Sequence, residues 1–145
     1  MDIIFKKVHT LKDLSLSAAI ILSGIGLYFL NAGLGILIGV CGLLMIIFYK
    51  TSYKRAGETT LLKKEAVDIC SSCRDSLRAY LDGKDVQPEV KTSPEGAVIR
   101  LEVYYNAGES VAYAQLFDFS NYSYVPATGI VELRGPRADS LITKL

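Results

Sequence analysis

Cys70 and Cys73 have the spacing in this chain that is most typical of chemistry, because a Cys-x-x-Cys motif can carry redox activity or contribute to a zinc site. The surrounding periodicity favours a long helix, so we expect the motif in its middle rather than at the N-terminus that a reactive thiol needs. The other zinc ligands to consider, Cys41 and His9, lie far away in the sequence. Two chains pooling their motifs stay an alternative. We predict buried structural cysteines, with no metal and no cofactor.

Other arrangements typical of catalysis do not stand out. The single histidine, His9, lies near the start of the chain, no serine has the surroundings of a nucleophile elbow, and no pair of carboxylates is evident. We therefore do not expect an enzyme.

Aromatic residues point to binding instead. Seven of the 14 aromatic residues lie between positions 104 and 124. Tyrosine-rich sheet surfaces suit recognition, and nearby arginines suit a phosphate-bearing or nucleotide-like ligand. The predicted ligand-binding residues are Arg100, Tyr104, Tyr113, Tyr122, Tyr124 and Arg134. The alternative is that these tyrosines cover a small core and its edges.

The element that positions the rest is an uncharged stretch. Residues 14–49 contain no charged residue and no proline, and Asn31-Ala32-Gly33 interrupts them. At about 1.5 Å per residue, the segments 14–30 and 34–49 each span about 25 Å, close to the bilayer's hydrocarbon core of about 30 Å. We predict a transmembrane α-hairpin of two helices in the lipid bilayer. A cleaved signal peptide is the alternative, although a second hydrophobic segment follows directly.

Charge predicts the orientation of this hairpin. Eight Lys and Arg residues flank it between positions 6 and 64, and the connecting turn has none. Both termini are therefore expected in the cytoplasm, at the inner membrane if the source is bacterial. From residue 50 onward, 13 Lys and Arg residues balance 13 Asp and Glu residues, so this part has no bulk charge for nucleic-acid binding.

Small residues predict close packing of the membrane helices. Gly35, Gly39 and Gly42 form a stripe on the second helix. The first helix has its own stripe, formed by Ser15, Ala19, Ser23 and Gly26. Either the two stripes pack on each other within one hairpin, or the glycine stripe faces a neighbouring subunit and makes the chain a homo-oligomer. We name these three glycines as oligomerisation residues.

The remaining segments predict an interfacial helix at 1–13, with a frayed terminus as the alternative, a juxtamembrane linker at 50–57 and a cytosolic α+β domain at 58–145. A juxtamembrane helix over 58–82 follows from the helical spacing of Leu62, Ala66, Ile69, Cys73, Leu77 and Tyr80, and Gly83 ends it. A turn at 93–96 then precedes an antiparallel sheet of about three strands, at 97–105, 110–119 and 129–134. A short helix follows Pro136.

This order of parts resembles the small two-pass effectors of bacterial antiphage signalling systems. The resemblance implies a cytosolic domain that receives a nucleotide-type signal and a membrane part that permeabilises or depolarises the inner membrane. It carries over no functional residue. Two functions follow as expectations: an effector or sensor, whose domain binds a ligand or partner and controls an oligomeric hairpin through the 58–82 helix, and an adaptor with a passive hairpin anchor.

Overall fold

The computed structural model describes residues 3–93 and 98–145, and the chain divides into two compact units. One unit is Ile4–Glu58, and the other is built from Thr59–Leu145. Together they are an N-terminal helical hairpin followed by an α+β domain, as the sequence predicts. Residues 94–96 of the predicted turn, residue 97 of the predicted first strand and residues 1 and 2 lie outside the described residues.

The hairpin consists of α1 (Leu11–Tyr28) and α2 (Ala32–Phe48). Thr10 and Asp13 form a capping box that starts α1, and the Asn31 side chain accepts a hydrogen bond from the Leu34 N–H to start α2. Among the described residues, α1 is the one helix with both the length and the apolar composition to cross a membrane, while the apolar α2 has 17 residues.

Glycines allow the two helices to touch through their backbones. A Cβ added at Gly35 would lie 2.4 Å from the Tyr28 Cα, and one added at Gly42 would lie 2.7 Å from Cγ1 of Ile21. Carbon atoms in normal contact are about 3.5 to 4.0 Å apart. Gly35 and Gly42 therefore belong to the contact within the hairpin, which is the first of the two alternatives stated for the stripe.

The small residues that contact the other helix are not all the ones that the sequence pattern predicts. A Cβ at Gly24 would lie 2.5 Å from the backbone nitrogen of Gly39, whereas a Cβ at Gly39 itself would meet no atom within 4 Å. The contact face of α1 includes the buried Ser17 and Gly24. The stripe predicted for this helix is exposed, because its members lie on other faces: Ser15, Ala19, Ser23 and Gly26.

A two-stranded antiparallel ribbon joins the ends of the hairpin. Strand β1 (Phe5–Val8) pairs with β2 (Ser52–Arg55). The prediction of an interfacial helix at 1–13 is therefore wrong, and part of the predicted linker 50–57 is a strand. Apolar residues at helical spacing predicted the helix, but pairing with a second strand satisfies the backbone hydrogen bonds of β1 in another way.

Asp13 ties the start of α1 to the segment that follows α2. Its carboxylate accepts hydrogen bonds from the Thr51 backbone N–H at 3.1 Å and from the Thr51 hydroxyl at 2.8 Å, in addition to the Thr10 N–H at 3.0 Å. Asp13 is buried, so these donors replace the water that a carboxylate otherwise needs. The ribbon and this contact close the charged end of the hairpin.

Within its described residues, the α+β domain contains a five-stranded antiparallel sheet rather than about three strands. The strands are β3 (Lys63–Ile69), β4 (Ile99–Asn106), β5 (Val111–Ser120), β6 (Ser123–Pro126) and β7 (Val131–Arg134). The order is β3-β4-β5-β6, and β7 pairs with the first half of β5. Strands β4, β5 and β7 confirm the three predicted strands within one or two residues of their ends, outside the undescribed residue 97.

Helices α3 (Arg74–Leu81) and α4 (Pro136–Ile142) pack against the sheet. Helix α4 begins at Pro136, as predicted. They share a core with alternate residues of the strands. The buried residues of this core are Ile69, Cys73, Leu77, Tyr80, Leu81, Ile99, Leu101, Val103, Ala112, Ala114, Leu116, Leu133, Ala138 and Leu141. Gly83, at φ +90°, ends α3 as a left-handed C′ residue, which confirms the predicted stop.

The predicted helix over 58–82 is wrong in its first half. Strand β3 occupies Lys63–Ile69, a 3₁₀ helix occupies Ser71–Cys73, and only then does α3 begin. The apolar spacing from Leu62 to Ile69 also fits a strand, because Val67 and Ile69 alternate with Asp68. Pairing of the whole of β3 with β4 favours the strand.

Candidate functional site

The sheet has one face toward the core and one face that we call the outer face. Ile99, Leu101 and Val103 point from β4 into the core, so Arg100, Glu102 and Tyr104 lie on the opposite side. This confirms the alternation predicted for the strand. By register, the outer face consists of Lys64, Ala66, Asp68, Arg100, Glu102, Tyr104, Asn106, Val111, Tyr113, Gln115, Phe117, Phe119, Tyr124, Pro126, Glu132 and Arg134.

Four outer-face residues from four strands form a cluster around Arg100. The Arg100 Nε donates to Oδ1 of Asp68 at 2.7 Å, directly across the β3–β4 pair. Its guanidinium carbon lies 3.9 Å from the centre of the Tyr124 ring, and that ring meets Phe119 edge-on with centroids 5.2 Å apart. The Tyr124 hydroxyl is 3.5 Å from Oδ1 of Asp68. We call Asp68, Arg100, Phe119 and Tyr124 the Arg100 cluster.

Within this cluster, Asp68 and Arg100 each stabilise the charged form of the other. The hydrogen bond from Arg100 lowers the pKa of Asp68, and the same bond raises the pKa of Arg100. The planar guanidinium therefore pairs with a carboxylate along its edge and with an aromatic ring over its face, which is the combination that arginine favours. An anionic ligand at Arg100 would have to displace Asp68.

Further ion pairs lie on the outer face. Lys64 contacts Glu102 at 2.8 Å, and its ammonium lies 5.3 Å from the centre of the Tyr104 ring. Arg134 contacts Glu132 at 2.5 Å on β7. These pairs give the face alternating positive and negative charge rather than the concentrated positive charge that a nucleotide-type ligand favours.

The hairpin between β5 and β6 ends in an exposed aromatic residue. Asn121 and Tyr122 form a two-residue loop with φ values of +49° and +61°, the left-handed pair of a type I′ turn. The Tyr122 side chain is 98% exposed, and nearby Phe119 and Val125 are 43% and 47% exposed. A non-glycine residue in this conformation is uncommon. The turn thus holds a large aromatic side chain out in water.

The predicted ligand-binding residues are brought together only in part. Arg100 and Tyr124 are in contact, and Tyr122 is at the tip of the same hairpin. Arg134 pairs with Val111, whereas Arg100 pairs with Phe117. These partners are separated by about 20 Å along β5, at about 3.4 Å per residue.

The tyrosines also divide between surface and interior. Tyr113 is only 1% exposed, and Tyr105 points to the core side, where its hydroxyl donates to Glu65 at 3.1 Å. The alternative in which tyrosines cover the core therefore holds for Tyr105, whereas Tyr113 is buried on the outer face, opposite Tyr104 and Glu132. Tyr104, Tyr122 and Tyr124 retain access to solvent to differing degrees.

Sequence reasoning missed Asp68 and Phe119 as members of the site. Asp68 falls within the helix predicted over 58–82, and that prediction conceals its position opposite Arg100. The alternation of Val67, Asp68 and Ile69 is the signal that places its carboxylate on the outer face. Phe119 belongs to the aromatic group noted between positions 104 and 124, and its pairing with Tyr124 depends on the type I′ turn.

The Cys-x-x-Cys motif is at the start of a helical segment, not in the middle of one. Cys70 is the N-cap residue of the 3₁₀ helix Ser71–Cys73, which continues into α3. Cys73 is buried and Cys70 is partly exposed. In the described ranges, residues 3–93 and 98–145, no group of three His, Cys, Asp or Glu residues could hold a metal ion.

Comparisons with protein-family models, with curated proteins and with solved structures found no match to this chain.

Proposed function

We propose that this chain is a two-pass membrane protein that presents a small α+β recognition domain to a protein partner on the cytoplasmic side. Tyr122 is the observation that carries the recognition part of the proposal. It is a 98% exposed aromatic side chain on a tight turn, flanked by exposed Phe119 and Val125. Exposed aromatic residues at a rigid position are typical anchors of protein interfaces.

The surface of the hairpin supports the membrane part. Only 17% of α1 is buried, which is unlike the core helix of a soluble protein. Large apolar side chains are exposed on both helices: Leu14, Leu16, Leu22, Ile25, Leu34, Ile36, Leu37, Leu43, Leu44, Ile46 and Ile47. In water this surface would be costly, whereas in hydrocarbon it needs no further partner.

Length and hydrogen bonding are also compatible with two crossings. The 18 residues of α1 and the 17 of α2 span about 27 and 25 Å at about 1.5 Å per residue. The hydroxyls of Ser15, Ser17 and Ser23 each donate to a backbone carbonyl of their own helix. Polar side chains satisfied in this way are tolerated in lipid.

The basic ribbon at the end of the hairpin supports the orientation. Lys6 lies directly opposite Lys54 in the β1–β2 pair, and Lys7 lies opposite Tyr53. Like charges opposite each other destabilise a strand pair in water. An anionic cytoplasmic leaflet compensates for this repulsion, since each basic residue near such a surface contributes about 1 kcal/mol of attraction.

A protein partner fits the outer face better than a nucleotide does. Arg100 and Arg134, the predicted anion-binding residues, are ion-paired with Asp68 and Glu132. Protein interfaces usually have aromatic residues at their centre and polar residues around the rim. The Arg100 cluster fixes the direction of β6 and therefore the position of Tyr122.

Site-specific photo-crosslinking tests the recognition part. A photoreactive phenylalanine analogue at Tyr122, in full-length protein in its native membrane, is expected to give one discrete adduct. The matched control carries the same probe at Lys144, an exposed residue on the helical side of the domain. Loss of the adduct after Phe119→Ala supports a shared surface. The same adducts from both probes, or none from either, would reject the proposal.

A second candidate function is the oligomeric effector, and one observation favours it. A groove of about 370 Å³ runs along the hairpin, with Gly24, Gly35 and Gly39 among its lining residues and apolar side chains around them. Gly39 has open space where a side chain would be, which allows another helix to approach closely. Gly39→Leu is expected to fill the groove and so separate the subunits, without disturbing the hairpin within each subunit. If detergent-solubilised protein is monomeric before the substitution, the oligomer does not exist.

A further inference from the structure

The cysteine pair occupies a junction between a strand and a helix. Strand β3 ends at Ile69, Cys70 is the N-cap residue, and the 3₁₀ turn Ser71–Cys73 leads directly into α3. Thiol pairs that exchange disulfides are typically placed where a helical segment begins. The burial of Cys73 in the core agrees with the expectation of structural cysteines, but the mid-helix position on which that expectation also rested is wrong.

Backbone geometry holds the two residues within reach of a disulfide. The Cys73 N–H donates to the Cys70 carbonyl at 3.0 Å, closing a four-residue turn. Turns of this kind keep their first and fourth Cα atoms within about 7 Å, and a disulfide requires about 4.4 to 6.8 Å. The Cys70 N–H in turn donates to the Lys91 carbonyl at 2.9 Å, so the first cysteine is anchored to the neighbouring segment.

The two thiols differ in exposure. Cys73 is 0% exposed within the core, whereas Cys70 is partly exposed, with its sulfur 3.5 Å from the Thr92 carbonyl oxygen. The pKa of Lys91 is raised, chiefly by its pair with Glu89 and further by the two cysteines, so its ammonium is within electrostatic range of them. One thiol can therefore meet a reagent from solution, and the other can be reached only from within the protein.

We propose that Cys70 and Cys73 form a reversible dithiol–disulfide couple that exchanges with low-molecular-weight disulfides such as oxidised glutathione. Cys70, as the thiolate, attacks one sulfur of the small disulfide, forms a mixed disulfide and releases one thiolate. Cys73 then loses its proton and attacks the Cys70 sulfur, which releases the second thiolate. The protein loses two electrons and two protons, and the small disulfide gains them to give two thiols.

The cytoplasmic placement proposed above puts the couple in a reducing compartment, which agrees with this assignment. Disulfides in cytosolic proteins are usually transient and serve catalysis or redox sensing rather than stability. The couple does not depend on Tyr122 or on the partner proposed above. Failure of the crosslinking experiment would therefore leave this inference standing, and the reverse also holds.

Mass spectrometry of the purified full-length protein in detergent tests the proposal. Trypsin cleavage after Lys64 and after Arg74 releases both cysteines in one peptide, residues 65–74. After equilibration with oxidised glutathione and alkylation of the remaining thiols, we expect this peptide unalkylated and two hydrogens lighter. Dithiothreitol should restore two alkylation sites.

Single substitutions separate the two roles. Cys73→Ser should leave Cys70 trapped as the glutathione mixed disulfide, while Cys70→Ser should leave Cys73 unmodified. Cys73→Ala repeats the first variant with an apolar residue, and far-UV circular dichroism verifies that each variant is folded. Cys41→Ser serves as the control and should not change the 65–74 peptide. A wild-type peptide that stays fully reduced, or equal glutathione labelling of the two single variants, would overturn the proposal.

Discussion

Gly35 and Gly39 make a matched pair for testing how the hairpin is packed. They lie on the same helix, one turn apart, and each can be changed to alanine. A Cβ at position 35 would lie 2.4 Å from the Tyr28 Cα, more than about 1 Å closer than carbon atoms tolerate. A Cβ at position 39 would meet nothing within 4 Å. Only the first substitution forces the helices apart.

The expected magnitude follows from two effects. Replacing glycine with alanine favours the helix by up to about 1 kcal/mol, and this gain is shared by both variants. Overpacking typically costs about 1 to 3 kcal/mol. Gly35→Ala should therefore reduce hairpin stability relative to Gly39→Ala by about 1 to 3 kcal/mol, because the shared gain cancels in the comparison.

Fluorescence energy transfer measures this difference. A donor and an acceptor can be attached through Ser15→Cys and Ile47→Cys, two exposed positions near the charged end of the hairpin, after the three native cysteines have been replaced. Titration with sodium dodecyl sulfate should separate the helices at a lower concentration in Gly35→Ala than in Gly39→Ala. Equal midpoints, or a lower midpoint for Gly39→Ala, would refute the packing described here.

Three further predictions follow from particular contacts. Thr51→Val removes the hydroxyl that donates to the buried Asp13 and should lower the thermal stability of the hairpin unit, whereas Ser15→Ala, at an exposed hydroxyl bonded within its own helix, should not; equal melting temperatures would contradict this role. Arg100→Ala should weaken partner binding at Tyr122 by about 1 to 2 kcal/mol, or roughly 5- to 30-fold, while Arg134→Ala at the far end of the sheet should leave it unchanged; titration of the isolated partner decides between them. The lowered pKa of Asp68 makes its pair with Arg100 stabilising above the unfolded carboxyl's pKa of about 4 and lost as the pH falls through the lower folded value. At neutral pH the thermal unfolding midpoint of Asp68→Asn should be slightly below that of the wild-type protein, since exposed ion pairs contribute about 0 to 1 kcal/mol. The difference between the two midpoints should disappear in acid. A difference that grows in acid would contradict the assignment.

The fold was predicted best where one pattern had no competitor. Thirty-six uncharged residues predicted the hairpin, and the structure places its two helices within three residues of the predicted ends. Alternation in 97–105 predicted which side of β4 faces the core. These patterns are local, so they are visible in the sequence without knowledge of a partner strand.

Prediction failed where two periods fit the same residues. From Leu62 to Ile69 the apolar residues match a helix and a strand, and the long-range pairing of β3 with β4 decides between them. The same error hid Asp68 from the Arg100 cluster and placed Cys70 in mid-helix. The continuous helix that was expected to carry a signal to the membrane does not exist, because strands β2 and β3 lie between α2 and α3.

Glycine spacing alone could not separate the two uses of the stripe. A Cβ at Gly35 or Gly42 would collide with α1, while one at Gly39 would meet no atom within 4 Å, although all three glycines have the spacing of one helix face. The glycines of α2 differ because Gly24 of α1 contacts the backbone of α2 at one point along the stripe. Only the position of α1 shows which glycines are in contact.

Two crossings by the hairpin, with the recognition domain in the cytoplasm, form the central claim, and cysteine labelling tests it most directly. Leu30→Cys places a thiol at the exposed turn between α1 and α2, and Lys144→Cys places one at the exposed end of the domain, each in a chain without its native cysteines. With intact cells and a membrane-impermeant maleimide, we predict labelling of the Leu30→Cys variant, and of the Lys144→Cys variant only after permeabilisation. Labelling of both variants from outside would mean a single crossing and would contradict the account.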